Sequence, residues 1–177
     1  LGIAGLNTLP VPIYDRLVET IKGKKIVKAD DILMKMRMIK TQNELKLLGE
    51  AYAITEKAIE RTLDSVKPGM TEIQITAEAT YSMLSQEAES VAYSFWCISG
   101  PNTSQAISRP THRKVRAGEL VQLCIGARVG GYASSIGRPF VIGAIPPKMK
   151  QLMETGLKTE EHTIQLMKLG AEADSIA

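Results

Sequence analysis

Between Val91 and Met153 the sequence holds one acidic residue, Glu119. Hard divalent cations such as Mg and Mn take oxygen ligands and rely on carboxylates to offset their charge. A single glutamate therefore excludes a two-metal carboxylate site built from that stretch. Cysteine is equally scarce, with Cys97 and Cys124 the only two in 177 residues. Two thiols make no disulfide framework, and a cysteine-rich zinc site is excluded by number alone. Buried inert thiols in a reducing, cytoplasmic setting are the expectation. No apolar run approaches the ~20 residues that span a bilayer, so no membrane partner is expected. The N-terminus also lacks the charged-then-apolar pattern of a secretory signal.

What is present is charge of the other sign. The same stretch carries Arg109, Arg113, Lys114, Arg116, Arg128, Arg138, Lys148 and Lys150. Its net charge is +7 where the whole chain is +3, which leaves −4 for the flanks. A basic middle reads either as an ordinary solvated face or as a surface attracting carboxylate or phosphate. The bases are scattered and fit no recognised nucleic-acid module, so nucleic acid is not expected as a partner.

The apolar residues are organised. Pro10 and Pro12 open a helical stretch with Ile13, Leu17 and Ile21 on one face, ended by Gly23; Ile26 and Val27 then suggest a short strand. Thr41 with Glu44 has capping-box spacing ahead of a helix with Leu47, Ala51, Ile54 and Ala58 on one side. Lys67-Pro68-Gly69 ends that helix. Thr71 with Gln74 repeats the box and starts a second helix through about Gln86, with Ile75, Ala79 and Met83 aligned. Val91, Tyr93, Phe95 and Cys97 then alternate with smaller or amphipathic residues, which predicts a strand. Residues 99–102 form a turn cluster, Leu120 to Ile125 reads as a buried strand, and Gly130-Gly131 turns the chain back into a strand through Ile142. Gly126, Gly130 and Gly131 read as backbone requirements of a tight, bulged hairpin. Pro146-Pro147 opens a last helix that ends near Gly170. The order of helices, strands and helix predicts an α+β class with an antiparallel sheet.

Residues 124–140 read Cys-Ile-Gly-Ala-Arg-Val-Gly-Gly-Tyr-Ala-Ser-Ser-Ile-Gly-Arg-Pro-Phe. This resembles the central hairpin of the pita-bread peptidase family, which includes the prolidases, aminopeptidases P and creatinases. Metal-dependent members read roughly Asp-x-Gly-Ala-x-Tyr-x-Gly-Tyr-x-Ser-Asp-x-Thr-Arg-Thr there. The segment from Arg37 to Glu44 resembles that family's junction into its catalytic domain. Ser99-Gly100-Pro101-Asn102 followed by Arg109-Pro110-Thr111 resembles its Ser-Gly-x-Asn … His-x-x-Pro-Thr element. The resemblance implies the first half of a pita-bread fold: two long outer helices, a curved antiparallel sheet and a C-terminal helix. It also implies that residues 1–31 are the tail of an N-terminal creatinase-type domain and 32–177 the first half of a pita-bread domain. In the family the second half usually supplies a histidine and two glutamates to the metals.

The departures define the functional expectation. The family's two hairpin aspartates, eleven positions apart, correspond here to Cys124 and Ser135, and its catalytic histidine corresponds to Ile107. Family members often bind two divalent metals such as Mn, Co or Zn; here no metal and no cofactor are expected. Isoleucine cannot carry a proton, and creatinases, which work without metals, keep that histidine. Cys124 reads either as a small core residue filling a vacated site or as a thiolate nucleophile or soft-metal ligand. Ser135 without a base is a poor nucleophile. Asn102, Tyr132 and Arg138 match retained family positions and are the candidates for ligand binding, alongside a purely structural reading of the hairpin pair. The expectation is a member of the Xaa-Pro dipeptidase and creatinase family without its metal site or catalytic histidine. It would act as a non-catalytic protein binding a peptide or small acidic ligand, and assemble as a homodimer. The alternative is a metal-independent C–N hydrolase of the same family whose catalytic groups lie in a second half.

Overall fold

The computed structural model describes residues 1–105 and 107–176. They form two compact units, Leu1–Leu45 and Lys46–Ala177. In the first, β1 (Gly2–Ile3) and β2 (Val27–Lys28) pair in parallel, and a 3-10 turn and α1 (Val11–Thr20) connect them. Pro12 sits in the first turn of α1, where its missing N–H costs nothing. The unit also contains a helix that the sequence reading had missed, α2 (Asp30–Met38). Asp30 and Asp31 lie in its first turn and Lys35 and Arg37 in its last, a distribution that complements the helix dipole. Its apolar residues are exposed, so the periodic signal of a buried face is absent, and no residue of this unit is buried.

The second unit holds the core. α3 (Gln42–Ser65) buries Ala51, Thr55, Ala58, Ile59 and Thr62, and α4 (Glu72–Leu84) buries Ile75, Ala79 and Met83. Both capping boxes form. The Thr41 N–H donates to Glu44 Oε2 at 2.6 Å, and the Glu44 N–H donates to Thr41 Oγ1 at 3.3 Å. At α4 the Thr71 and Gln74 pair closes at 2.8 and 3.1 Å.

The strands are more broken than their pattern predicts. The expected strand from Val91 to Cys97 is two, β3 (Ser90–Val91) and β4 (Trp96–Ser99). The expected central hairpin is four: β5 (Leu120–Ile125), β6 (Ala127–Val129), β7 (Tyr132–Ala133) and β8 (Ile136–Val141). Two three-stranded antiparallel sheets result, ordered β3-β6-β7 and β4-β5-β8. The division falls at Gly126. A Cβ there would lie 2.0 Å from the Ser134 carbonyl oxygen, so only glycine lets the two arms of the hairpin cross at that point. Across the break the Ala92 N–H bonds the Gly126 carbonyl at 2.8 Å, and the Ser134 N–H bonds the Ala127 carbonyl at 3.0 Å. Alternation continues through such a bend, which is why the pattern alone reads as one strand. Gly130 and Gly131 both have positive φ, and Glu89 accepts both of their N–H groups at 2.6 and 3.1 Å.

One face of the sheets packs on α3 and α4. Ile75, Met83, Val121, Leu123 and Ile125 are fully or nearly fully buried in one core. A buried polar knot ties α3 to the hairpin. Thr55 Oγ1 lies 2.7 Å from Ser134 Oγ, and the Ala127 N–H reaches both oxygens at 3.0 and 2.9 Å. The last helix, α5 (Pro147–Leu166), buries no side chain.

Candidate functional site

The hairpin bend brings Cys124 and Ser135 to one place. Cys124 is the penultimate residue of β5 and pairs with Gly137 on one side and Trp96 on the other. Ser135 lies in the break between β7 and β8, directly after the buried Ser134. Between them stands Tyr93, from the interruption between β3 and β4. Its hydroxyl lies 3.2 Å from Cys124 Sγ and 3.0 Å from Ser135 Oγ. Tyr93, Ser94, Trp96, Ala133, Ser134 and Ser135 line a cleft of about 520 Å³. Phe95 packs edge-on to the Tyr93 ring at 6.1 Å, and Trp96 lies tilted to it at 5.9 Å.

Burial pushes the Tyr93 phenol up to about 12, and the hydrogen bond to Cys124 acts in the same direction. At neutral pH the phenol is therefore protonated. It donates to one neighbour and accepts from the other, and offers no negative charge. The sequence reading took Tyr93 only as a strand residue. Its role depends on the bend that removes residues 92–95 from the ladder.

The second element of the site is the segment from Ser99 to Thr111. It is anchored on Glu72, a fully buried carboxylate in the first turn of α4. Glu72 Oε1 accepts from the Ser99 N–H and hydroxyl, both at 2.7 Å, and from Asn102 Nδ2 at 3.2 Å. Its Oε2 accepts from the Thr111 N–H at 2.9 Å and hydroxyl at 2.6 Å. Burial alone would raise the Glu72 pKa, but the bonds from Thr111, Ser99 and Asn102 together outweigh it and hold the carboxyl below its ordinary value. Arg113 extends the anchor, donating to Ser99 Oγ at 2.7 Å and to Glu119 Oε1 at 2.5 Å. A sequence signal for Glu72 existed: an acidic residue at the first helical position of a capping box, which the capping role alone does not require.

Both ends of the segment are thus fixed while Ile107, between them, is 65% exposed. Asn102, a ligand-binding candidate, lies at the Glu72 carboxylate. Tyr132 lies in β7, next to the glycine turn. Arg138 lies in β8 and lines a cavity of about 530 Å³ bounded by β5, β8 and α5. These three candidates therefore occupy separate elements. Three of the eight bases of the middle stretch have partners among the described residues: Arg113 as above, Arg128, which donates to the Ala92 carbonyl at 3.1 Å, and Lys150, which pairs with Glu154 at 3.8 Å. His112 and His162 are exposed. Among the described residues no group of three or more His, Cys, Asp or Glu side chains is placed to hold a metal ion. Nor is any of their helices long and apolar enough to cross a membrane.

Comparison with known proteins agrees with this architecture. The chain is 29% identical to the Xaa-Pro dipeptidase of Pyrococcus horikoshii over 180 aligned residues, covering all of this chain and 51% of that protein. It is 22% identical to the creatinase of a Bacillus species, covering all of this chain and 44% of that protein. Among solved structures, the prolidase from Pyrococcus furiosus superposes with a TM-score of 0.85 at 27% identity, over 92% of this chain and 48% of the other. The chain thus spans about half the length of the curated relatives it matches, and its fold is that of the pita-bread aminopeptidases and prolidases. The model of metallopeptidase family M24 matches residues 46–177, the whole of the second compact unit. This chain belongs to metallopeptidase family M24.

Proposed function

We propose that this chain is a binding member of family M24 that has lost the metal chemistry of its relatives and holds a peptide or small acidic ligand without cleaving it. One observation carries the reading. Where the family resemblance puts two metal-binding aspartates, a thiol and an alcohol are joined by a protonated tyrosine hydroxyl, Tyr93. A thiol, an alcohol and a neutral phenol supply no carboxylate charge, so these residues do not fit a pair of hard divalent ions. The position corresponding to the family's proton carrier is Ile107, whose side chain takes no part in proton transfer. Exposed bases, Arg109, Lys114, Arg116 and Arg138, favour an acidic ligand. The free thiols Cys97 and Cys124 fit a reducing, cytoplasmic setting.

The test is elemental analysis of the purified protein with an assay on Xaa-Pro dipeptides. The reading requires a substoichiometric metal content after dialysis and no turnover with or without added Mn. Two tightly held divalent ions per chain, or measurable cleavage, would overturn it.

A further inference from the structure

Aromatic residues are scarce in this chain and gathered at one place. It has five tyrosines, two phenylalanines and one tryptophan, and three of these, Tyr93, Phe95 and Trp96, fall within four positions. Tyr93 and Trp96 line the cleft of about 520 Å³ together with Ser94, Ala133, Ser134 and Ser135. No acidic or basic side chain is among them.

The sheet leaves room beside the indole. Trp96 pairs in register with Cys124, and Cys124 with Gly137, so the three share one face of the β4-β5-β8 sheet. Along that row the side chains shrink from an indole to a thiol to none, and the row sets no large group against the half-buried Trp96. Neither the indole N–H nor the Ser94 hydroxyl has a hydrogen-bond partner among the described residues.

The remaining polar groups decide what fits. Tyr93, Cys124 and Ser135 are engaged with one another, and Ser134 is tied to Thr55 and the Ala127 N–H. A sugar, with a hydroxyl on nearly every carbon, would leave several of them unpaired here. A charged group would exchange its hydration for walls that offer no counter-charge. A planar ring needs only walls. It gains from the area it covers and from an offset or edge-on approach to Tyr93 and Trp96, whose own rings meet at 52° with centroids 5.9 Å apart.

We infer that this cleft is a binding site for an uncharged aromatic ring, the side chain of an aromatic residue or another phenyl group, seated against Trp96 and Tyr93. The inference names what the cleft takes and rests on the binding role proposed above. The acidic part of the ligand stays outside the cleft, among the exposed bases.

The test is a titration of the dialysed protein followed by the emission of Trp96, which as the one tryptophan of the chain reports on this cleft. The probes are benzyl alcohol and cyclohexylmethanol, alike in size and in their hydroxyl and different in the ring. Benzyl alcohol is expected to saturate in the millimolar range or tighter. It should bind about threefold tighter than the saturated ring, or better. Ala133→Leu, at an exposed position of the wall, should fill the cleft and weaken benzyl alcohol about tenfold. Tyr93→Leu should weaken it about fivefold, while Tyr93→Phe, which keeps the ring, should stay within about twofold of wild type. Absence of saturation, equal or tighter binding of cyclohexylmethanol, or unchanged affinity in Ala133→Leu overturns the ring site. Metal analysis of the same sample keeps the two readings apart. Two tightly held ions would overturn the proposed function and this inference together, whereas failure to saturate in a sample without metal overturns the ring site alone.

Discussion

Replacing Glu72 should damage this chain more than any change at the positions that correspond to the family's catalytic groups. Glu72 is fully buried and accepts five hydrogen bonds, two from backbone N–H groups and three from side chains. Bonds to a charged acceptor are worth about 1.5–3 kcal/mol each, but these share one acceptor group and do not add. Glu72→Ala leaves the Ser99 and Thr111 N–H groups without their acceptor, and a loss of about 3–5 kcal/mol follows. For a chain of this size that lowers the melting temperature by roughly 6–20 °C. Glu72→Gln keeps the shape and one acceptor oxygen but turns an N–H₂ toward the other set of donors, so its loss should be smaller, about 2–3 kcal/mol.

The pH dependence gives this prediction a second, independent reading. The folded-state pKa of Glu72 is lowered from the ordinary 4.5. The folded chain therefore binds fewer protons than the unfolded chain between the two values. The stabilisation is complete above about 4.5 and is lost as the pH falls toward the folded pKa. Urea unfolding of wild type and Glu72→Gln from pH 7 to pH 3 should show a constant gap down to about pH 5 that narrows below it. A gap under about 1 kcal/mol at pH 7, or one that widens in acid, refutes the anchoring role.

Other expectations follow from the same geometry. Tyr93→Phe removes the bridge between Cys124 and Ser135; it should lower stability by about 1–2 kcal/mol and speed the reaction of Cys124 with a disulfide reagent, and an unchanged labelling rate would contradict the bridge. Gly126→Ala brings a Cβ to 2.0 Å from the Ser134 carbonyl, so the hairpin must open; an expected loss of more than about 3 kcal/mol is measured by thermal unfolding, and a near-neutral result would refute the close crossing. Cys124→Asp with Ser135→Asp should give no Xaa-Pro cleavage with added Mn, and should lower stability because two like charges are placed together beside a neutral phenol; cleavage would show that the site needs nothing further. The homodimer expected from the sequence would draw on the apolar side chains of α5, where Leu152, Leu157 and Ile164 are all more than half exposed; a light-scattering mass of one chain, unchanged on dilution, would count against it.

Where the sequence carried a local instruction, it was legible. Thr41 with Glu44 and Thr71 with Gln74 mark helix starts because the capping bond is made within three residues. The strand from Leu120 to Ile125 is legible as a short apolar run whose Val121, Leu123 and Ile125 are buried on the helix-facing side. The breaks at residues 92–95, at Gly126 and at Ser134 were not, because they arise where distant segments cross. α2 was missed because no buried face imposes a period on it. Among site residues, Cys124, Ser135 and Ile107 were found by position in a motif. Tyr93 and Glu72 make their contacts 31 and 27 residues away, and spacing does not encode such partners.

That division explains how a pita-bread frame can persist without aspartates at the hairpin positions. The features that force the hairpin to bend are Gly126, the Thr55–Ser134 knot and the glycine turn held by Glu89. They lie in the backbone and on the helix-facing side of the sheet. Cys124 and Ser135 are on the cleft side, where Ser135 is exposed and Cys124 half-buried. A side chain there contributes little to the core, so its identity is free to change without loss of the fold. An aspartate pair carries a strong mutual repulsion that only bound cations or protons relieve. A thiol and an alcohol bridged by Tyr93 carry none. The proposed loss of the metals would therefore leave no uncompensated charge at the hairpin, and the positions that differ most from the family's hairpin motif are among those the packed core depends on least.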